Sequence, residues 1–251
     1  LHAIQNRMDY FHKRGCKTSD HGLAQMDFSP ASMAEMEQIF SKGLGGQMLT
    51  DVELSKYRTE LMLFFGREYE KRDWVMQLHL GAQRDNNAKM FGLLGPDTGF
   101  DCIGPAVRLD HLARFLNELE TAGTLPKTII YSLNPNDNTA IGTIIGCFQG
   151  SGVPGKLQHG SAWWFNDHIE GMKAQLLSLA NLGLLGNFVG MTTDSRSILS
   201  YVRHDYFRRI LCDILGRWVE EGKYPEDMAS LGRMVENISC GNSRNYFGFN
   251  K

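Results

Sequence analysis

Asp194, Ser195 and Arg196 stand together after the apolar-leaning run Asn187–Thr193. A carboxylate at the end of such a run can ligate a metal, act as a base, or do both in turn. Arg196, two residues on, is a fixed cation able to stabilise a developing oxyanion or to clamp a carboxylate. The plain alternatives are a helix cap for Asp194 and a surface salt bridge for Arg196. His79 lies between Leu78 and Leu80, where a histidine is either a satisfied core residue or a metal ligand. Arg84 is followed by Asp85, Asn86 and Asn87, a cluster suited to polyols or carboxylates, or simply to a solvated loop. In the pair Asp20-His21 a carboxylate can orient an imidazole. Trp163 and Trp164, beside Asn166 and Asp167 and shortly after His159, suit a sugar face with hydrogen-bonding groups at its rim. Core packing is the competing use for both rings.

These residues need elements that present them. Two apolar runs, Gly155–Ala162 and Asn187–Thr193, end in the polar tips Trp163–Asp167 and Asp194–Arg196. Between them Ile169, Met172, Leu176, Leu179 and Ala180 recur at helical spacing and close at Gly183. Strand, tip, helix, strand, tip is the grammar of a βαβ unit, and strand carboxyl ends carry function in barrels and open α/β sheets. Three earlier strands are predicted at Cys16–Asp20, Asp73–Leu80 and Lys127–Leu133, with tips at Ser19, His79 and Asn134. Ser29-Pro30 predicts a helix start, and Thr50 with Glu53 a capping box opening a second helix. Two successive helices there read as an insertion near residues 30–70. Gly92–Gly104 reads as a glycine-rich loop, Thr139–Phe148 as a helix, and Phe207–Val219 as the cleanest amphipathic helix. Five strands, each followed by helix, leave an open doubly wound sheet and the larger part of a barrel both standing.

At 251 residues the chain can form one large α/β domain or two small ones. The formal charge of −2 and scattered Lys and Arg argue against nucleic acid as a partner. No apolar run approaches the ~20 residues of a membrane span. Five cysteines without a CxxC fit a reduced, cytoplasmic setting. A P-loop, GxSxG and HExxH are all missing, which removes most of the weight from nucleotide cofactors and serine-type hydrolysis.

Taken together, RGCKTSDHGL (Arg14–Leu23), QLHLGAQRDNN (Gln77–Asn87), LGPDTGFD (Leu94–Asp101), LPKTIIYSLNPNDN (Leu125–Asn138), GKLQHGSAWWFND (Gly155–Asp167), FVGMTTDSRSILSYVRHDYFRRILC (Phe188–Cys212) and ENISCGNSRNYF (Glu236–Phe247) closely resemble the uronate isomerase, or glucuronate isomerase, family. The resemblance runs essentially end to end. It implies an α/β fold of TIM type, an amidohydrolase-like (β/α)8 barrel of which this chain supplies about the last five βα units as a single catalytic domain. It implies interconversion of hexuronate aldoses and ketoses, D-glucuronate with D-fructuronate and D-galacturonate with D-tagaturonate. Asp194 then matches the family's metal-ligand and catalytic aspartate, Arg196 its catalytic partner, and His79 a second metal ligand. Arg84, Arg244, His21 and Trp164 are the expected substrate-binding residues, with one or more of the basic groups Arg84, Arg244 and His21 holding the C6 carboxylate. A single divalent metal, zinc, is implied, along with a small-molecule substrate; a homo-oligomer is allowed.

The family's HxH pair is missing from this sequence. The chain opens on what reads as the tail of a helix, without Met, so three preceding βα units that complete the barrel are expected to exist in the gene product. Two other functions stay open at this point: a metal-dependent hydrolase on the same barrel, and a non-catalytic fragment that keeps the fold.

Overall fold

The computed structural model describes residues 1–150 and 152–249. Helix α1 (His2–His12) buries Met8 and leads into β1 (Thr18–Leu23). Two helices follow, α2 (Met33–Leu44) and α3 (Asp51–Lys71). Each opens on a capping box, Ser32 with Glu35 and Thr50 with Glu53, which satisfies otherwise orphaned backbone donors. The first box corrects the expected start at Ser29-Pro30. The Ser29 amide instead donates to Thr59 Oγ1 at 2.9 Å and the Ala31 amide to Glu60 Oε1 at 2.9 Å, so this stretch is a strap laid on α3.

Strand β2 (Val75–Leu80) pairs parallel with β1, and a small antiparallel ribbon, β3 (Ala82–Gln83) with β4 (Cys102–Ile103), brackets helix α4 (Ala88–Leu94). The stretch expected to be a glycine-rich loop, Gly92–Gly104, thus carries the end of a helix and half a ribbon. Helix α5 (Leu109–Thr121) leads to β5 (Thr128–Ser132), helix α6 (Asn138–Gly146) to β6 (Leu157–His159), and helix α7 (Ile169–Leu182) follows. Then come α8 (Val202–Glu220), α9 (Met228–Glu236), a π-helical turn at Asn237–Gly241 and α10 (Asn242–Phe247). The four longer-range strands form one parallel sheet in the order β1-β2-β5-β6.

Two-residue alternation sorts the sheet's faces. Met76, Leu78 and Leu80 of β2 and Ile130 of β5 face Met62 and Leu63 of α3 and Leu112, Phe115, Leu116 and Leu119 of α5. Phe115 and its leucine neighbours on α5 are fully buried, and each such burial contributes about 1.5–3 kcal/mol. A second cluster joins Val75, Ile129 and Tyr131 to Phe188, Phe207 and Leu211.

The fifth expected strand, residues 187–193, is buried only over 188–191 and joins no ladder among the described residues. Gly190 takes a φ of 77°, which breaks the extended backbone, and a Cβ there would lie 2.1 Å from the Ile238 carbonyl oxygen. The backbone acceptors are satisfied by side chains instead. Asn242 Nδ2 donates to the Gly186 and Phe188 carbonyls at 2.7 and 2.8 Å, and Gln158 Nε2 to the Asn187 carbonyl at 3.0 Å.

His159 is buried at the end of β6, and its Nδ1 has no hydrogen-bond partner. Burial pushes its pKa down from 6.5 to about 4. Below 6.5 the unfolded chain therefore takes up a proton that the folded chain refuses until about 4. The stability associated with neutral His159 is full above 6.5 and is lost as pH falls through this window. Urea midpoints recorded from pH 7 to pH 4 should decline more steeply for the parent than for His159→Asn; parallel declines would show that the burial costs nothing on protonation.

Candidate active site

The strands' carboxyl ends open into a polar cleft of about 1410 Å³. Asp20 reaches it from β1, Gln77 and His79 from β2, Tyr131 from β5, Trp163, Trp164 and Asp167 from the tip after β6, and Thr192–Asp194 and Arg196 from the fifth tip. Arg84 and Asp101 border it from the β3–β4 ribbon and its loop. His79 alternates toward the cleft because Leu78 and Leu80 alternate toward the helices. Its Nδ1 lies 2.6 Å from Asp20 Oδ1, its ring stacks on Tyr131 at 4.1 Å between centroids, and Trp163 meets it edge-on at 4.5 Å. A carboxylate only accepts, so the Asp20 contact places the ring hydrogen on Nδ1 and leaves Nε2 available. The buried Tyr131 hydroxyl donates to Gln77 Oε1 at 2.7 Å and lies 2.9 Å from Thr192 Oγ1, tying β5 to β2 and to the fifth tip. Burial pushes its pKa up, so it serves as a neutral hydrogen-bonding group.

Asp194 has a φ of 43°, an uncommon conformation for a residue with a side chain. Its carboxylate is 85% exposed, and Oδ2 lies 3.6 Å from the 89%-exposed Arg196 guanidinium. Such an open pair adds little to stability, which leaves both groups available to a ligand. Arg84 is more firmly held. Its guanidinium lies over the Trp164 ring at 5.1 Å and within 3.4 and 3.6 Å of Asp97 and Asp101. Trp164 in turn stacks on Phe165 at 5.0 Å.

The cleft thus gathers Asp194, Arg196, His79, Arg84 and Trp164. Two expected substrate-binding residues lie elsewhere. His21 follows Asp20 on the same strand, so alternation turns it to the opposite face. There its Nε2 lies 2.8 Å from the Tyr69 hydroxyl, its ring packs on Phe65, and burial pushes its pKa down against the opposing pull of Asp20. Arg244 sits exposed on α10, and the same helix sends the Tyr246 hydroxyl to the Thr128 and Lys156 carbonyls at the strands' amino-terminal ends. That is the end of the sheet away from the cleft. Tyr131, Gln77, Asp101 and Arg203 escaped the sequence reading as site residues. Alternation along β2 and β5 could have found Gln77 and Tyr131; Arg203 lies inside a helix and gives no such signal.

As a metal centre the cleft is incomplete. His79 Nε2 and the Asp194 carboxylate are two donors, whereas a catalytic zinc takes three protein ligands. No group of three or more His, Cys, Asp or Glu able to hold a metal occurs among the described residues. The described residues do not by themselves fit the ion.

Comparison with known proteins bears on the whole arrangement. The family model for glucuronate isomerase matches residues 1–247. The uronate isomerase of Lachnoclostridium phytofermentans is 55% identical over 249 residues, covering 99% of this chain and 53% of its own. That of Caldicellulosiruptor bescii is 52% identical over 249 residues, covering 99% of this chain and 54% of its own. Among solved structures, the uronate isomerase of Thermotoga maritima superposes with a TM-score of 0.90 at 34% identity, over 98% of this chain and 52% of that one. The glucuronate isomerase of Caulobacter crescentus has the same fold, with a TM-score of 0.89 at 24% identity over all of this chain and 50% of that one. The chain spans about half the length of the curated relatives it matches. Its parallel arc is the corresponding part of their TIM-type barrel.

Proposed function

The chain belongs to the glucuronate isomerase family, and from that premise we propose that the protein carrying it interconverts hexuronate aldoses and ketoses, D-glucuronate with D-fructuronate and D-galacturonate with D-tagaturonate. The observation that carries this reading is the meeting of Asp194 and Arg196 with Arg84 in one cleft at the strands' carboxyl ends. Isomerisation moves a proton between C2 and C1 and passes through an enediolate. In this reading Asp194 takes the proton from C2 and returns it to C1, while the O2 hydroxyl proton passes to O1. Arg196 stabilises the negative oxygen that develops between the two steps. Arg84, fixed on Trp164 and by its two aspartates, takes the C6 carboxylate, and Trp164 offers its face to the sugar.

A divalent ion, zinc by family resemblance, is part of the proposal for the whole protein, with His79 and Asp194 among its ligands. The ion would supply electrophilic help at a substrate oxygen. No step above depends on it, because the described residues alone do not complete its ligand set. The proposed setting is cytoplasmic. All five cysteines are free, and no described helix is long and apolar enough to cross a membrane. The test is ketose formation from each hexuronate by the protein that carries this chain, with an ester substrate assayed in parallel. Ketose formation without ester cleavage is expected; ester cleavage alone would overturn the reading in favour of a hydrolase.

A further inference from the structure

We propose that Asp167 is a positioning residue for Asp194, acting through Arg203; this rests on the reading of Asp194 as the base. Among the described residues Asp194 has no firm partner of its own, since its carboxylate meets only Arg196, at 3.6 Å, and both groups are open to solvent. Yet its φ of 43° is a conformation that a side-chain-bearing residue keeps only when its surroundings impose it. The fixed point lies one peptide upstream. Arg203, in the first turn of α8, donates through Nη1 to the Thr193 carbonyl oxygen. Its Nε donates to Asp167 Oδ2 at 2.8 Å, and its Nη2 pairs with the same oxygen. The other Asp167 oxygen accepts from the Tyr206 hydroxyl.

Asp167 therefore uses one oxygen to hold the side chain that grips the backbone beside the base, and the other to accept from Tyr206 on the same helix. Its carboxylate is only 12% exposed, so this is a sheltered ion pair in which geometry is retained. Burial disfavours the charge on Arg203, but Asp167 and Tyr206 together outweigh it and hold the guanidinium pKa above its ordinary value. The bridge also spans two strand tips, the one after β6 and the one after residues 187–193. Asp167 thereby locks the turn that carries the base to the part of the sheet that carries Trp163 and Trp164. Lysine in place of Arg203 lacks the planar fork needed to hold a carboxylate and a carbonyl at once.

The test is Asp167→Asn in the whole protein. Asparagine keeps the size and loses the charge and one acceptor. A base displaced by about 1 Å loses up to about 100-fold. The expected result is a kcat lowered about 10- to 100-fold, with KM changed by less than about threefold. Tryptic cleavage after Arg196 should accelerate, because the turn loses its anchor. Tyr206→Phe leaves the Arg203 bridge in place and should give the same pattern at smaller size. It also keeps the test alive if Asp167→Asn does not fold. Parental kcat and parental cleavage after Arg196 in either variant would overturn the proposal. A large rise in KM for Asp167→Asn with kcat unchanged would also overturn it, by making the cluster a substrate-binding group. Faster cleavage in a protein whose parent isomerises no hexuronate would refute the catalytic reading of Asp194 and leave the anchoring supported.

Discussion

Asp194→Asn is expected to lower hexuronate turnover by at least ~100-fold, the scale of losing a general base. Asparagine preserves the volume and much of the hydrogen bonding, but it cannot accept and return a proton. The substitution should leave folding intact, because the carboxylate is exposed and its one ion pair is open to water. The left-handed backbone is also tolerated by asparagine better than by most residues. Loss of activity with an unchanged melting temperature is therefore the expected combination. Near-parental kcat would refute the role of Asp194, whatever happened to metal content.

Arg196→Lys should lower kcat by about 100-fold with little change in KM. Removing a donor aimed at a developing oxyanion costs on this scale. Lysine keeps the charge and loses the planar fork, so it separates directional donation from simple electrostatics. A fall in kcat and in kcat/KM by equal factors would place the interaction in the transition state alone. A change confined to KM would reassign Arg196 to the substrate carboxylate, in competition with Arg84. Because Arg196 is 89% exposed and, among the described residues, paired only with Asp194, no loss of fold should complicate the comparison.

Much of this arrangement could be read from residue order. The tips at His79, Trp163 and Asp194 do converge on one cleft; the first two follow strands that run the same way in a parallel sheet, while Asp194 follows a run that joins no ladder among the described residues. The capping box at Thr50 opens its helix as expected, since the signal is local and both partners lie within one turn. Other features needed three dimensions. Asp20 and His21 look like a single pair in sequence, yet strand alternation puts Asp20 on His79 and His21 on Tyr69. Arg244 lies in a family-like stretch, but α10 docks at the amino-terminal ends of the strands. The fifth strand failed as a ladder element because Gly190 turns the chain and Asn242 and Gln158 occupy its carbonyls. Those partners lie 29 or more positions away in sequence. The grip of Arg203 on Thr193 was invisible for the same reason, since no periodicity marks a side chain that reaches back to a backbone carbonyl.

The central claim is that the Asp194 carboxylate carries the proton between C2 and C1. The most direct measurement follows deuterium from C2-labelled D-glucuronate in water, by NMR, for the parent protein and for Asp194→Asn. The parent should release the label to solvent or transfer it to C1 at a rate commensurate with turnover. In Asp194→Asn the release should fall with turnover, by ~100-fold or more. Label leaving C2 at the parental rate in Asp194→Asn would contradict the account and assign the base to another group in the cleft.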